Sequence, residues 1–206
     1  MEGYFTIQGS ASARIEEKKS EFISHISFAD TEEKALAFLG SMRAEHRTAA
    51  HNVYAYLLRD GARMRYSDDG EPAKTSGLPT LEAIRHAGIT DCIIVTTRYF
   101  GGTLLGTGGL VRAYTEAASR AIAAAQKVAV SVIVSGTLMV DYALYEMALR
   151  LLEESGAKCD TPVFTDKVTV PFRVLAGGEE NLLPKLQELC RGVPEITLSK
   201  PFYAPF

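Results

Sequence analysis

The chain has 206 residues, with 22 Lys and Arg against 25 Asp and Glu, and its formal net charge of −3 excludes a generic binder of polyanions. Hydrophobic residues make up 47% of it, enough for a packed core, yet no apolar run approaches the roughly 20 residues a membrane helix needs. Cys92, Cys159 and Cys190 are scattered, with no CxxC pair, and the N-terminal stretch carries no apolar segment of the signal-peptide kind. The expectation is a cytoplasmic protein with no disulfide framework, no metal, no cofactor and no membrane partner. Up to Lys127 the charges balance, 15 basic against 15 acidic; beyond it they stand at 7 against 10. A contact with nucleic acid would therefore need a local basic patch in the first part.

In chain order, ARIEEKKSEFISHISFA predicts two short strands, with Phe22, Ile23, Ile26 and Phe28 as the apolar positions. DTEEKALAFLGSMRAEH predicts a helix capped by Asp30, with Glu33 at capping-box spacing. Its buried stripe is Ala35, Leu36, Phe38, Leu39 and Met42. NVYAYLL alternates as a strand and RDGARMRY adds a turn at Asp60-Gly61 and a second strand, a hairpin. SDDGEPAKTSGLP is a loop of turn formers, after which Thr80 caps a helix over LEAIRHA that Gly88 ends. DCIIVTT is a buried strand, and a helix runs from about Leu110 to Ala125. The remainder reads strand (VAVSVIVSGTLMV), helix (DYALYEMALRLLEESG, with Asp141 as cap and Gly156 as stop) and two strands joined at Thr165-Asp166. A second helix (GGEENLLPKLQELCRG) and a last strand (PEITLSK) follow. This βαββαβ order predicts a ferredoxin-like sandwich. The fold class is α+β in two domains, 1–130 and 131–206.

Between DCIIVTT and the alanine-rich helix lies RYFGGTLLGTGGLVRAY, with Gly101, Gly102, Gly106, Gly108 and Gly109 bracketed by Arg98 and Arg112. Strand, glycine loop and helix make an anion-site geometry. The first helical amides lack partners, the helix dipole adds positive charge, and glycine lets a ligand approach the backbone. Arg112, read in the first turn of that helix, opposes the dipole unless an anion or an acidic neighbour offsets it, and Glu116 is one such neighbour at i,i+4. The loop fails the P-loop pattern, since Thr107 stands where Lys is required. It also fails GxGxxG, since Gly106 and Gly108 are followed by Val111. The alternative is structural: the glycines let the helix pack close to the sheet.

Asp68, Asp69 and Glu71 cluster carboxylates suited to Mg²⁺ or to a solvated turn. Lys74, Thr75 and Ser76 offer a second anion contact or an exposed loop, and His51 precedes a strand whose Tyr54 and Tyr56 share a face. No GxSxG, HExxH or Cys/His nucleophile context occurs, so no motif announces an enzyme, and the non-enzymatic expectation is preferred with catalysis left open.

KKSEF (18–22), AHNVYAY (50–56), SDDGEP (67–72) and RYFGGTLLGTGGLVRAY (98–114) together resemble the IMPACT family, in its bacterial YigZ-like branch. The resemblance covers essentially the whole chain. One departure is Ala73-Lys74-Thr75-Ser76-Gly77, where family members more often carry a small residue followed by Gly-Thr-Ala-Gly. The resemblance implies a first domain like the second domain of a small-subunit ribosomal protein, domain IV of elongation factor G and the GHMP-type kinases. It implies a tail like the ferredoxin-like end domains of elongation factor G. Eukaryotic relatives regulate translation initiation by competing for an activator of a kinase of initiation factor 2. Two functions follow as expectations. In the first, the chain is a translation-associated protein. It contacts RNA, the ribosome or a translation-related protein through Arg98, Tyr99, Phe100, Gly101, Gly102, Gly106, Gly108, Gly109 and Arg112. Lys74, Thr75 and Ser76 assist, and His51 and Lys19 line the site. In the second, it is an enzyme on a small phosphorylated or peptide substrate, with Asp68, Asp69 or Glu71 as metal contact or base. A homodimer contact through the loop is a third use.

Overall fold

The computed structural model describes residues 3–59 and 63–206. They divide into two compact units, one over Tyr4–Val128 and one over Ala129–Phe206 together with Gly3.

The first unit contains strands β1 (Tyr4–Gln8), β2 (Ser10–Glu17) and β3 (Ser20–Phe28), helix α1 (Glu32–Glu45), and strands β4 (His51–Leu57) and β5 (Met64–Ser67). Helix α2 (Gly77–His86), strand β6 (Cys92–Tyr99) and helix α3 (Thr107–Ala124) complete it. Five strands pair antiparallel in the order β2-β3-β6-β4-β5. Because side chains alternate across a strand, β6 serves two cores. Ile93 and Val95 join Tyr54 and Tyr56 beneath Ala35 and Leu39 of α1. Cys92 and Ile94 join Ile26 and Ala55 beneath Leu81 and Ile84 of α2 and Ala118 and Ala121 of α3. With both faces covered, the run Cys92–Val95 is apolar on both sides, while buried Thr96 and Thr97 give their hydroxyls partners in Ser24 and Asn52. On that second side, Phe22 and Val53 meet Leu110, Ala113, Tyr114 and Ala117. The buried stripe of α3 is mostly alanine, which lets the helix lie close on the sheet.

Several caps differ from the sequence reading. Thr31, not Asp30, caps α1: its hydroxyl accepts from the Lys34 amide, while Asp30 pairs with Lys34 Nζ. Leu36 is 43% exposed and lies off the α1 stripe. Helix α2 begins at Gly77 rather than after Thr80, whose hydroxyl instead donates to the Ser76 carbonyl. Helix α3 opens at Thr107, three residues before Leu110, so Arg112 sits in its second turn. β4 and β5 pair as expected, with Tyr54 opposite Ser67 and Leu57 opposite Met64. The turn expected at Asp60-Gly61 lies outside the described residues. β1 was not anticipated; Ile7, on it, is buried in the core under α2 and α3.

In the second unit, β7 (Gln126–Val140), whose first residues precede the division, is followed by a short 3₁₀ turn (Tyr142–Leu144) and helix α4 (Tyr145–Glu154). Strands β8 (Lys158–Cys159), β9 (Val163–Phe164) and β10 (Val168–Leu175), helix α5 (Gly178–Cys190), and strands β11 (Glu195–Leu198) and β12 (Phe202–Pro205) follow. The antiparallel order β11-β7-β10-β8 is that of a ferredoxin-like sheet, and β12, unanticipated, extends the pairing along β7. Asp141 flanks the 3₁₀ turn and its side chain caps nothing there; Leu144 precedes α4. The core joins Leu138, Val170 and Phe172 of the sheet to Ala148 and Leu152 of α4 and Leu182 and Leu186 of α5.

Candidate functional site

The conspicuous sequence segments meet at one end of the first unit's sheet. Arg98, near the end of β6, points to the α3 side and is only 5% exposed. Its Nη1 donates to Glu71 Oε1 at 2.7 Å and its Nη2 to Ser20 Oγ at 3.4 Å. The Tyr114 hydroxyl, from α3, donates to the same Glu71 oxygen at 2.8 Å, and His51 Nε2 lies 3.8 Å from Glu71 Oε2. The guanidinium lies over the rings of Phe22 and Phe100, at 5.4 and 5.5 Å from their centroids. Arg98 Nε is buried without a hydrogen-bond partner among the described residues. Burial, then the Glu71 charge, push the Tyr114 phenol far above its ordinary range, so it stays protonated and can only donate to that carboxylate. The Arg98 charge is thus neutralised inside the protein.

The acidic loop is equally committed. Asp68 Oδ1 accepts from the Ser76 and Gly77 amides at 3.1 and 2.8 Å and from the Ser76 hydroxyl at 2.7 Å, while Oδ2 accepts from the Lys74 amide at 2.8 Å. It therefore caps α2 from eight residues upstream. Burial works against its charge, but these donors outweigh it and hold the carboxyl below its usual range. Asp69 accepts from Arg43 Nη2 at 2.9 Å and from the Asn52 amide at 2.7 Å, and its carbonyl meets His51 Nδ1 at 2.8 Å. The Thr75 hydroxyl donates to the Pro72 carbonyl. Lys74 takes φ +62°, the left-handed backbone that glycine adopts without strain. Its side chain borders a groove of about 630 Å³ between α2 and α3, together with Val111 and Thr115. Among the described residues, no group of three or more His, Cys, Asp or Glu side chains is arranged to hold a metal ion.

The glycine loop itself has two different ends. At its start the Gly101 amide donates to Ser20 Oγ at 3.2 Å, and a Cβ on Gly101 would stand 2.0 Å from the Lys19 carbonyl carbon. This contact brings the exposed Lys18-Lys19 turn, between β2 and β3, against the loop. At its far end Gly106 precedes α3 with φ +73°, and no side chain caps the helix. The first carbonyl bond is made by the Leu110 amide to Gly106. Thr107 and Gly108 are exposed. A Cβ on Gly109 would press on Leu105 at 3.0 Å, but one on Gly108 would meet only Arg112 Nη1, at 3.7 Å. Arg112 is exposed and forms no ion pair among the described residues. Glu116, its expected partner, instead binds Arg120. Of the nominated residues, Lys19, His51, Asp69, Glu71, Arg98 and Gly101 are brought together. Ser20, Asn52 and Tyr114 were not singled out, although all three lie inside the segments that carry the family resemblance.

Those segments decide the family. A model of the Impact N-terminal domain matches residues 18–122. The chain belongs to the IMPACT family. The family member encoded in the pol 5′ region of Thermus thermophilus is 37% identical over 176 residues, covering 85% of this chain and 96% of the relative. Escherichia coli YigZ is 44% identical over 51% of this chain, which supports the YigZ-like branch, and Bacillus subtilis YvyE is 38% identical over 59%. The matched stretches span only 53% and 57% of those two relatives, little more than half their lengths. A crystal structure described as that of a hypothetical protein aligns with a TM-score of 0.63 and 31% identity, over 96% of this chain and 97% of that one. Among the described residues, no helix is long and apolar enough to cross a membrane.

Proposed function

We propose that this IMPACT-family chain is a translation-associated binding protein, and that the opening of α3 receives phosphates of RNA or carboxylates of an acidic partner surface. The single observation that carries the reading is Gly108. Neither packing nor a positive φ calls for glycine there, and alanine would favour the helix by up to about 1 kcal/mol. A bare backbone at that point suits a ligand that comes close to the free amides of Thr107 and Gly108, with Arg112 and the Lys18-Lys19 turn supplying positive charge. The IMPACT family is in general one of translation regulation, which supports the choice of partner. Arg98 serves the site as its internal support, not as its anion contact.

Co-sedimentation with ribosomes tests the reading. Binding should weaken with salt, and Arg112→Ala should lower the salt slope by about 1 while changing stability by less than about 0.5 kcal/mol. Gly108→Ala should weaken binding without destabilising the fold. Absence of binding to ribosomes, tRNA and mRNA at low salt would overturn the proposal. A second reading, catalysis on a small anionic substrate, draws on the Glu71, His51 and Tyr114 cluster beside the loop. Thermal stabilisation by one nucleotide or phosphosugar, with none by RNA, would favour it.

A further inference from the structure

We infer that His25 and His46 form a pH-sensitive latch that holds Tyr99, and with it the start of the glycine loop, to the end of α1 when both rings are neutral and releases it when they take up a proton. The inference rests on the reading above, since it concerns regulation of the same site. The two rings lie on the α1 side of the sheet with centroids 5.4 Å apart, tilted by 41°. His46 is the C-cap of α1, and its Nδ1 lies 2.9 Å from the Tyr99 hydroxyl. Tyr99 is the last residue of β6, and Phe100 and Gly101 follow it. His25 Nε2 and His46 Nε2 are both buried, and neither has a hydrogen-bond partner among the described residues.

That pair of unpartnered nitrogens is the device. A neutral imidazole tolerates such a place, but protonating both rings would set two charges about 5.4 Å apart, with an N–H at His25 Nε2 that nothing accepts and, at His46 Nε2, only the exposed Glu45 carboxylate 3.9 Å away. The charged and titratable groups around the pair are few. From α1 comes Glu45, whose Oε1 is 3.9 Å from His46 Nε2 on a side chain that is 62% exposed. From β6 comes Tyr99. On β3 itself Glu21, opposite Tyr99, is engaged by Arg14 at 2.8 Å. β4 offers only the neutral Asn52, whose Oδ1 is taken by the Thr97 hydroxyl. Burial, then the neighbouring His46, hold the His25 pKa below its ordinary value, with Glu45 pulling weakly the other way.

The direction follows from linkage. A released histidine titrates near 6.5 and latched His25 lower, so between those values the open form binds more protons. The latch is at full strength above about pH 6.5 and weakens as pH falls through the folded value. His46 is the group that holds Tyr99, so displacing its ring breaks the Tyr99 contact.

Residue-resolved NMR of the full chain between about pH 7.5 and about pH 5 tests this without any RNA or partner present. The His25 ring should titrate below the ordinary value, and the amides of Tyr99 to Gly102 should follow its midpoint. Amide exchange in this stretch, corrected for its intrinsic pH dependence, should rise by about tenfold below the midpoint. His46→Gln should abolish the loop response. Tyr99→Phe, which removes only a hydroxyl, should leave the His25 titration in place but uncouple the loop. Loop signals that stay fixed while the rings titrate, or a response that survives both variants, would overturn the latch. Since ribosome binding is read in a separate assay, failure of one idea leaves the other standing.

Discussion

The acidic loop over residues 68–76 and the glycine loop over residues 101–109 meet at the same end of the sheet, yet their polar groups have opposite fates. In the acidic loop each carboxylate has its donors: Asp68 caps α2, Asp69 binds Arg43 and the Asn52 amide, and Glu71 binds Arg98 and Tyr114. In the glycine loop only the first half is engaged, through Gly101 and Ser20, while the α3 opening has no side-chain cap. A cluster of charge in sequence is therefore poor evidence of a site until its internal partners are counted. Here the acidic loop acts as the frame, while the α3 opening at the far end of the glycine loop is left without a side-chain cap.

The largest expected break in this contrast is at Glu71. Glu71→Ala leaves Arg98 buried and unpaired and should cost about 3–5 kcal/mol in urea unfolding, with most of the loss recovered when Arg98→Met is added. Recovery of none of it would mean that the two side chains do not act as a pair. Next comes Gly101→Ala, whose Cβ runs into the backbone of Lys19; about 3 kcal/mol should be lost, against no loss for Gly108→Ala. Equal effects at the two glycines would erase the distinction between the closed and open halves of the loop. Smallest is Asp68→Ala, which removes the cap of α2 and should cost about 1–2 kcal/mol, with faster amide exchange at Ser76 and Gly77.

Local pattern carried much of this protein in its sequence. The apolar run of β6, the alanine-rich stripe of α3 and the βαββαβ order of the second unit are set by residues a few positions apart, and each element formed close to its expected place. The same motifs sufficed for the family. Caps were less legible, because Thr31 and Asp30 are equally good candidates by composition and only backbone geometry chooses between them. The fates of the charges were not legible at all. Arg98 meets Glu71 across 27 positions, Tyr114 meets Glu71 across 43, and Ser20 meets Arg98 across 78. Which of two arginines in one motif is neutralised and which faces solvent depends on strands brought together by burial of the core, and that packing is a property of the whole fold and not of any one stretch.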